Sequence, residues 1–193
     1  MERLCVFSGS SPGGHPDYIQ AAERLGRALV SDGVGLVYGG AHVGLMGAIA
    51  DAVLDAGGEA VGVIPQALVD REIAHTGLTD LRVVGSMHER KALMAELADG
   101  FVALPGGMGT LEELFEVYTW TQLGLHAKPL GLLDVRGYYR QLVAFLDHAV
   151  TEGFVTPENR EMLVVEQGAE ALLEAFRRWR PPARSKWIDR SQT

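Results

Sequence analysis

The chain has a single cysteine among its 193 residues, only three lysines, and no apolar run near the roughly 20 residues needed to cross a bilayer. Cys5 has no partner for an internal disulfide and lies within the first apolar run, which reads as a buried, inert thiol. The opening MERLCVFSGSS carries an acid at position 2 and then only a short apolar run, so it does not read as a secretory signal. These absences point to a cytoplasmic protein with no membrane partner. No HExxH or other metal-ligand spacing links His15, His42, His75, His88, His126 and His148, so no metal is expected. Ser10 and Ser11 lack a GxSxG context, which argues against a nucleophilic serine.

Charge is unevenly spread. From Arg177 onward there are six basic residues against Asp189 alone, which leaves 11 basic and 24 acidic residues, a net of −13, in the body. An acidic body argues against broad nucleic-acid binding. The basic tail, residues 180–193, is broken by Pro181 and Pro182 and carries Trp187. It reads as a solvated or self-docking segment, with contact to RNA or a protein as the other reading.

Short apolar runs alternate with longer segments of helical period. Strands are predicted at 4–7, 35–38, 60–64, 81–84, 101–104, 129–133 and 162–165, and helices at 17–31, 45–56, 87–98, 111–122, 138–151 and 169–179. Runs that are apolar throughout imply a sheet covered on both faces. The chain is short for an eightfold barrel, so the expectation is an α/β fold: an open, doubly wound, mostly parallel sheet of about seven strands, Rossmann-like, spanning residues 1–179. Ligands in such sheets gather beyond the carboxyl ends of the strands, which directs attention to the loops that follow them.

Three of those loops are rich in glycine: GSSPGG at 9–14, GGAHVGLMG at 39–47 and PGGMGT at 105–110. One such loop needs nothing more than a tight turn, but three at one sheet edge can present backbone N–H groups and helix N-termini to an anion. No Lys-Ser/Thr follows the glycines, as a triphosphate loop requires, and the second strand ends in Gly39 and Gly40 where a dinucleotide fold places a ribose-binding acid. A small phosphorylated ligand remains. Thr110 and Glu113 have the spacing of a capping box, with Thr110 as N-cap, and Ser86 and Glu89 repeat the pattern. Arg90 and Lys91 stand early in a helix, where basic side chains oppose the dipole, so a ligand or a carboxylate is the better reason for them. Tyr118 and Trp120 read as core or interface, and Glu72 as a surface acid unless the fold brings it to the pocket.

Together, SMHERK at 86–91 and LPGGMGTLEELFEVYTWTQLG at 104–124 resemble the LOG (Lonely Guy) family, whose marker PGGxGTxxE is matched in full from Pro105 to Glu113. The resemblance extends over about residues 3–178 and leaves out the basic tail. It implies a cytokinin riboside 5′-monophosphate phosphoribohydrolase, working without a cofactor and commonly as a homodimer. Carried over by position, the catalytic pair falls on Arg90 and Glu113, and substrate contacts fall on Glu72, Lys91, Gly107, Met108, Gly109, Thr110, Leu111, Glu112 and Thr119. On that reading the N–H groups of Gly107, Gly109 and Thr110 hold the 5′-phosphate. Glu113, at a helix N-terminus, is expected to stay ionised through the dipole and backbone N–H groups. Arg90 orients it and the substrate. Family members are often labelled lysine decarboxylases, a label that the three lysines support poorly, since pyridoxal phosphate chemistry needs a Schiff-base lysine. A general AMP nucleosidase and a non-catalytic nucleotide- or nucleic-acid-binding module are the alternatives.

Overall fold

The computed structural model describes residues 1–71 and 73–181. Seven strands form one sheet: β1 (Arg3–Phe7), β2 (Gly35–Tyr38), β3 (Ala60–Pro65), β4 (Asp80–Val84), β5 (Gly100–Ala103), β6 (Leu130–Leu133) and β7 (Leu163–Glu166). Their order is β4-β3-β2-β1-β5-β6-β7 and every pairing is parallel. The connections run outward in one direction from β1 and in the other from β5. The strand order therefore reverses between β1 and β5, which opens a crevice at their carboxyl ends.

The helices are α1 (Pro16–Ser31), α2 (Gly44–Asp55), α3 (Gln66–Val69), α4 (Met87–Leu97), α5 (Met108–Leu123), α6 (Arg140–Thr151), α7 (Pro157–Glu161) and α8 (Ala169–Arg178). Period-two alternation along each strand divides the apolar residues between two layers. Leu4, Val6, Leu36 and Tyr38 face α1, α2 and α8, and Cys5, Phe7, Val37 and Phe101 face α4, α5 and α6. Both layers are closed over the central strands, which is why β2, β3, β5 and β6 carry no charged residue, whereas the edge strand β4 leaves Arg82 and Val83 exposed. Cys5 is buried as expected.

Strands and long helices fall within a few residues of their predicted bounds. One boundary matters. α5 begins at Met108 with Gly107 as N-cap, so Thr110 is the third residue of the helix and not its cap. Gly106 and Gly107 let the chain turn into the helix earlier than an apolar periodicity starting at Leu111 suggests. The Ser86 cap does form, with Ser86 Oγ accepting from the Glu89 N–H at 3.1 Å. The short α3 and α7, and a 3₁₀ turn at Val135–Gly137, have too few residues to show a period and were not expected. No helix among the described residues is long and apolar enough to cross a membrane. Most of the basic tail, residues 182–193, lies outside the described residues.

His126 sits behind β5 with its ring 5.2 Å from that of Phe101. Its Nδ1 accepts from the Lys128 N–H at 3.3 Å, which leaves the proton on Nε2. Burial, and then the Lys128 charge, push its pKa down from 6.5 to about 4. Between these values the unfolded chain binds a proton that the folded chain refuses, so stability is lost as the pH falls through that window. Urea denaturation at pH 7 and pH 4.5 should show a loss on the order of 2 kcal/mol that the non-titrating His126→Gln variant lacks.

Candidate active site

The three glycine loops meet at the β1/β5 crevice because backbone bonds tie them together. Gly9 N–H donates to Pro105 O at 3.1 Å, and Leu45 N–H donates to Gly9 O at 3.0 Å. Gly44, with φ +58°, lies so close to the Ser10 backbone that a Cβ there would stand 2.3 Å from its carbonyl carbon. Between the loops is a cavity of about 290 Å³, bounded by Ser10, Pro12, Tyr18, Leu45, Gly107 and Tyr138. Tyr138 closes its side and donates from its hydroxyl to Gly106 O at 2.6 Å.

The start of α5 opens at this crevice. No side chain caps Gly107, and the first intrahelical acceptor is reached by Leu111 N–H, bonded to Gly107 O at 3.2 Å. The N–H groups of Met108, Gly109 and Thr110 therefore point out of the helix, where the dipole favours an anion. A Cβ on Gly107 or Gly109 would meet no protein atom within 4 Å. Packing does not demand glycine at either position; what glycine provides is access to the backbone. Thr110 is buried, its hydroxyl packed over Gly106. Met108 is 79% exposed.

One turn into α5, Glu113 meets Arg90 of α4. Arg90 Nη1 donates to Glu113 Oε1 at 2.8 Å and its Nε donates to Val63 O, within β3, at 3.1 Å. Each residue is only 8% exposed. The guanidinium reaches this position because residue 39 has no side chain: a Cβ on Gly39 would lie 2.2 Å from Arg90 Nη2. Arg90 thus turns from its place in the first helical turn into a pocket made by β2, β3 and α5. Beside it, Lys91 Nζ donates to Glu112 Oε1 at 2.6 Å and Glu116 Oε1 at 3.1 Å, which raises its pKa above that of a free lysine.

Glu113 is not a cap. It lies beyond the free N–H groups of α5, and burial pushes its pKa up from the ordinary 4.5, with the Arg90 charge opposing that rise. The expected downward pull of the helix terminus is therefore not what governs this carboxyl. The pair with Arg90 holds it in place.

The structure brings Gly107, Met108, Gly109, Thr110, Arg90 and Glu113 to one end of the sheet and places Lys91 and Glu112 in contact beside them. Leu111 is half-buried and packs against the α4/α5 layer. Thr119 lies further along α5, exposed, with its hydroxyl donating to Phe115 O at 2.7 Å. The expectation for Glu72 lies outside the described residues. Gly39, the Val63 carbonyl and Tyr138 were not foreseen. The Gly39-Gly40 doublet was the available signal for the first; nothing in the sequence marks a carbonyl oxygen as a ligand for a guanidinium. Among the described residues, no group of His, Cys, Asp or Glu side chains is gathered as a metal site.

A family model described as "possible lysine decarboxylase" matches residues 46–176. A probable cytokinin riboside 5′-monophosphate phosphoribohydrolase of Oryza sativa subsp. japonica is 53% identical over 94% of this chain and 74% of its own length. The cytokinin riboside 5′-monophosphate phosphoribohydrolase of Rhodococcoides fascians is 54% identical over 90% of this chain and 88% of its own. The chain belongs to the LOG family. Solved structures add the fold alone. A molybdenum cofactor binding protein from Rippkaea orientalis superposes with a TM-score of 0.70 at 21% identity, covering 92% of this chain and 96% of that one. The molybdenum cofactor carrier protein of Chlamydomonas reinhardtii does so with a TM-score of 0.69 at 18% identity, covering 92% and 96%. Within the LOG family PGGxGTxxE marker, the glycines and threonine form the helix start and the final glutamate is the partner of Arg90.

Two glycines separate structure from binding. Gly109→Ala should leave the melting temperature unchanged or slightly higher, because the helix gains a better former, while KM for a nucleotide substrate rises about tenfold as the methyl crowds a bound phosphate. Gly39→Ala should instead displace Arg90 and lower kcat by about 100-fold. Thermal melts and steady-state kinetics on the two variants check both expectations.

Proposed function

We propose that the protein hydrolyses the N-glycosidic bond of adenosine 5′-monophosphates, N6-modified ones included, to the free base and ribose 5-phosphate. The observation that carries this reading is the buried ion pair of Arg90 and Glu113, one helical turn from an uncapped, glycine-lined helix start. The relatives named above, at about half identity, bear the name of this activity. A 5′-phosphate on the N–H groups of Met108, Gly109 and Thr110 would bring the ribose toward Glu113. As the C1′–N bond breaks, its electron pair leaves on the base and positive charge develops on the sugar. The Glu113 carboxylate faces that charge, then takes a proton from the water whose oxygen adds to C1′. The leaving base regains its proton from solvent. Arg90, which does not give up a proton in proteins, keeps Glu113 oriented and ionised.

This chemistry needs no cofactor. A decarboxylase would need a neutral lysine to form a Schiff base, whereas Glu112 and Glu116 hold Lys91 protonated, and Lys128 Nζ donates to Ala95 O at 2.7 Å. We also infer a cytoplasmic homodimer in which residues 1–179 form the hydrolase domain. Val83 on β4, Met87 on α4 and Met108 on α5 are exposed apolar side chains that a second copy could cover.

The test is to incubate the protein with AMP and with N6-isopentenyl-AMP and follow base and ribose 5-phosphate by chromatography. Glu113→Gln should lower the rate by about 10³-fold with the fold intact. Release of no base from either nucleotide would overturn the reading. The acid limb of kcat/KM should lie above 4.5, the ordinary glutamate value, because the folded protein raises the Glu113 pKa. In the residual activity of Arg90→Leu that limb should move to still higher pH, since the charge that opposes the rise is gone.

A further inference from the structure

The loop after β5 sorts its peptide groups by polarity. Three successive carbonyls each have a protein donor: Leu104 O accepts from the Tyr139 hydroxyl at 2.6 Å, Pro105 O from Gly9 N–H at 3.1 Å, and Gly106 O from the Tyr138 hydroxyl at 2.6 Å. The N–H groups of Met108, Gly109 and Thr110 that follow are left to the crevice. Two of the three donors are neighbours on the segment between β6 and α6. Its turn includes Arg136, a non-glycine residue in the left-handed region at φ +58°, whose Nη1 donates to Asp17 Oδ2 of α1 at 2.9 Å. Asp134 Oδ1 accepts from Tyr139 N–H at 2.6 Å in the same segment. Tyr139 is buried, whereas Tyr138 is 44% exposed, lines the cavity between the glycine loops and meets the Tyr18 ring edge-on at 6.0 Å.

The two tyrosine bonds do different things. Tyr139 satisfies a buried acceptor beside the core. Tyr138 acts on the peptide between Gly106 and Gly107, where neither residue has a side chain and little steric resistance opposes a turnover of that peptide. A trans peptide carries its C=O and N–H on opposite sides, so a bond that fixes the Gly106 oxygen also fixes the direction of the Gly107 N–H. Turned over, the same peptide would set a carbonyl dipole where an amide had been, against an anion. We propose that Tyr138 is a positioning residue for the substrate's phosphate group: its hydroxyl keeps Gly106 O away from the anion and Gly107 N–H beside the free amides of α5. It governs affinity for phosphorylated ligands and not the chemical step, because Arg90 and Glu113 are anchored to each other and to Val63 O without it. This inference rests on the nucleotide-hydrolase reading of the site.

The experiment uses the full chain in a Glu113→Gln background, so that nucleotides stay intact, with and without Tyr138→Phe, which keeps the ring and removes the hydroxyl. Calorimetry gives dissociation constants for N6-isopentenyl-AMP, for ribose 5-phosphate and for N6-isopentenyladenosine, which lacks the phosphate. Tyr138→Phe should raise the first two about five- to tenfold, the scale of one lost hydrogen bond, and leave the third unchanged. With Glu113 restored, the same substitution should raise KM by that factor and keep kcat within about twofold. Tyr139→Phe, which frees the buried Leu104 carbonyl instead, should lower the melting temperature and leave the ratio of nucleotide to nucleoside affinity as it was. Binding is read apart from turnover, so a failed hydrolase assignment and a failed role for Tyr138 are told apart. Unchanged affinity for the phosphorylated ligands in Tyr138→Phe, an equal loss for the nucleoside, the same shift of ratio in Tyr139→Phe, or no binding of either phosphorylated ligand before substitution would each overturn the proposal.

Discussion

Burying a guanidinium and a carboxylate together is expensive, because each ion gives up hydration worth several kcal/mol that the pair recovers only with good geometry. Arg90 and Glu113 are nevertheless both buried at the carboxyl edge of the sheet, and much of the local structure serves to make that possible. The bare Cα of Gly39 gives the guanidinium room, the Val63 carbonyl of β3 accepts a hydrogen bond from its Nε–H, and α5 must start early enough to bring Glu113 opposite. A salt bridge in such a place is weak evidence for stability. Its geometry is better understood as a fixed, ionised carboxylate beside a ligand site.

The topology supplies the rest. With an all-parallel sheet whose order reverses at β1 and β5, the loops after β1, β2 and β5 must emerge at one edge, and two backbone bonds lock them to one another. The phosphate-binding face and the ion pair are then neighbours by construction, one provided by the first turn of α5 and the other by its second.

The strands, the long helices and the sheet class could be read directly from apolar runs and helical period, since both faces of the central strands are covered and only the edge strand β4 carries a charge, Arg82, between apolar residues. The family resemblance singled out Arg90, from SMHERK, and Glu113, from the glycine marker, and the structure pairs the two side chains. Less legible were features set by tertiary approach. Thr110 and Glu113 have the spacing of a capping box, and only the entry of the chain through Gly106 and Gly107 moves the helix start back and makes Glu113 an interior residue. Burial then reverses the expected direction of its pKa. Arg90 was recognised as out of place in a first helical turn, but its route past Gly39 to Val63 depends on strands distant in sequence.

The glycines of these loops look alike in sequence and differ in physical reason. At Gly39 and Gly44 another part of the chain occupies the space of a Cβ, so a side chain there displaces protein. At Gly107 and Gly109 that space is open. Natural selection for packing has no cause to keep glycine where a methyl would fit and, within α5, would improve helix propensity. Open glycines at an uncapped helix start instead expose N–H groups with no protein acceptor, and such donors are satisfied by water or by a ligand that brings its own oxygens. The two glycine classes thus divide the marker motif into a part that builds the pocket and a part that faces what the pocket holds.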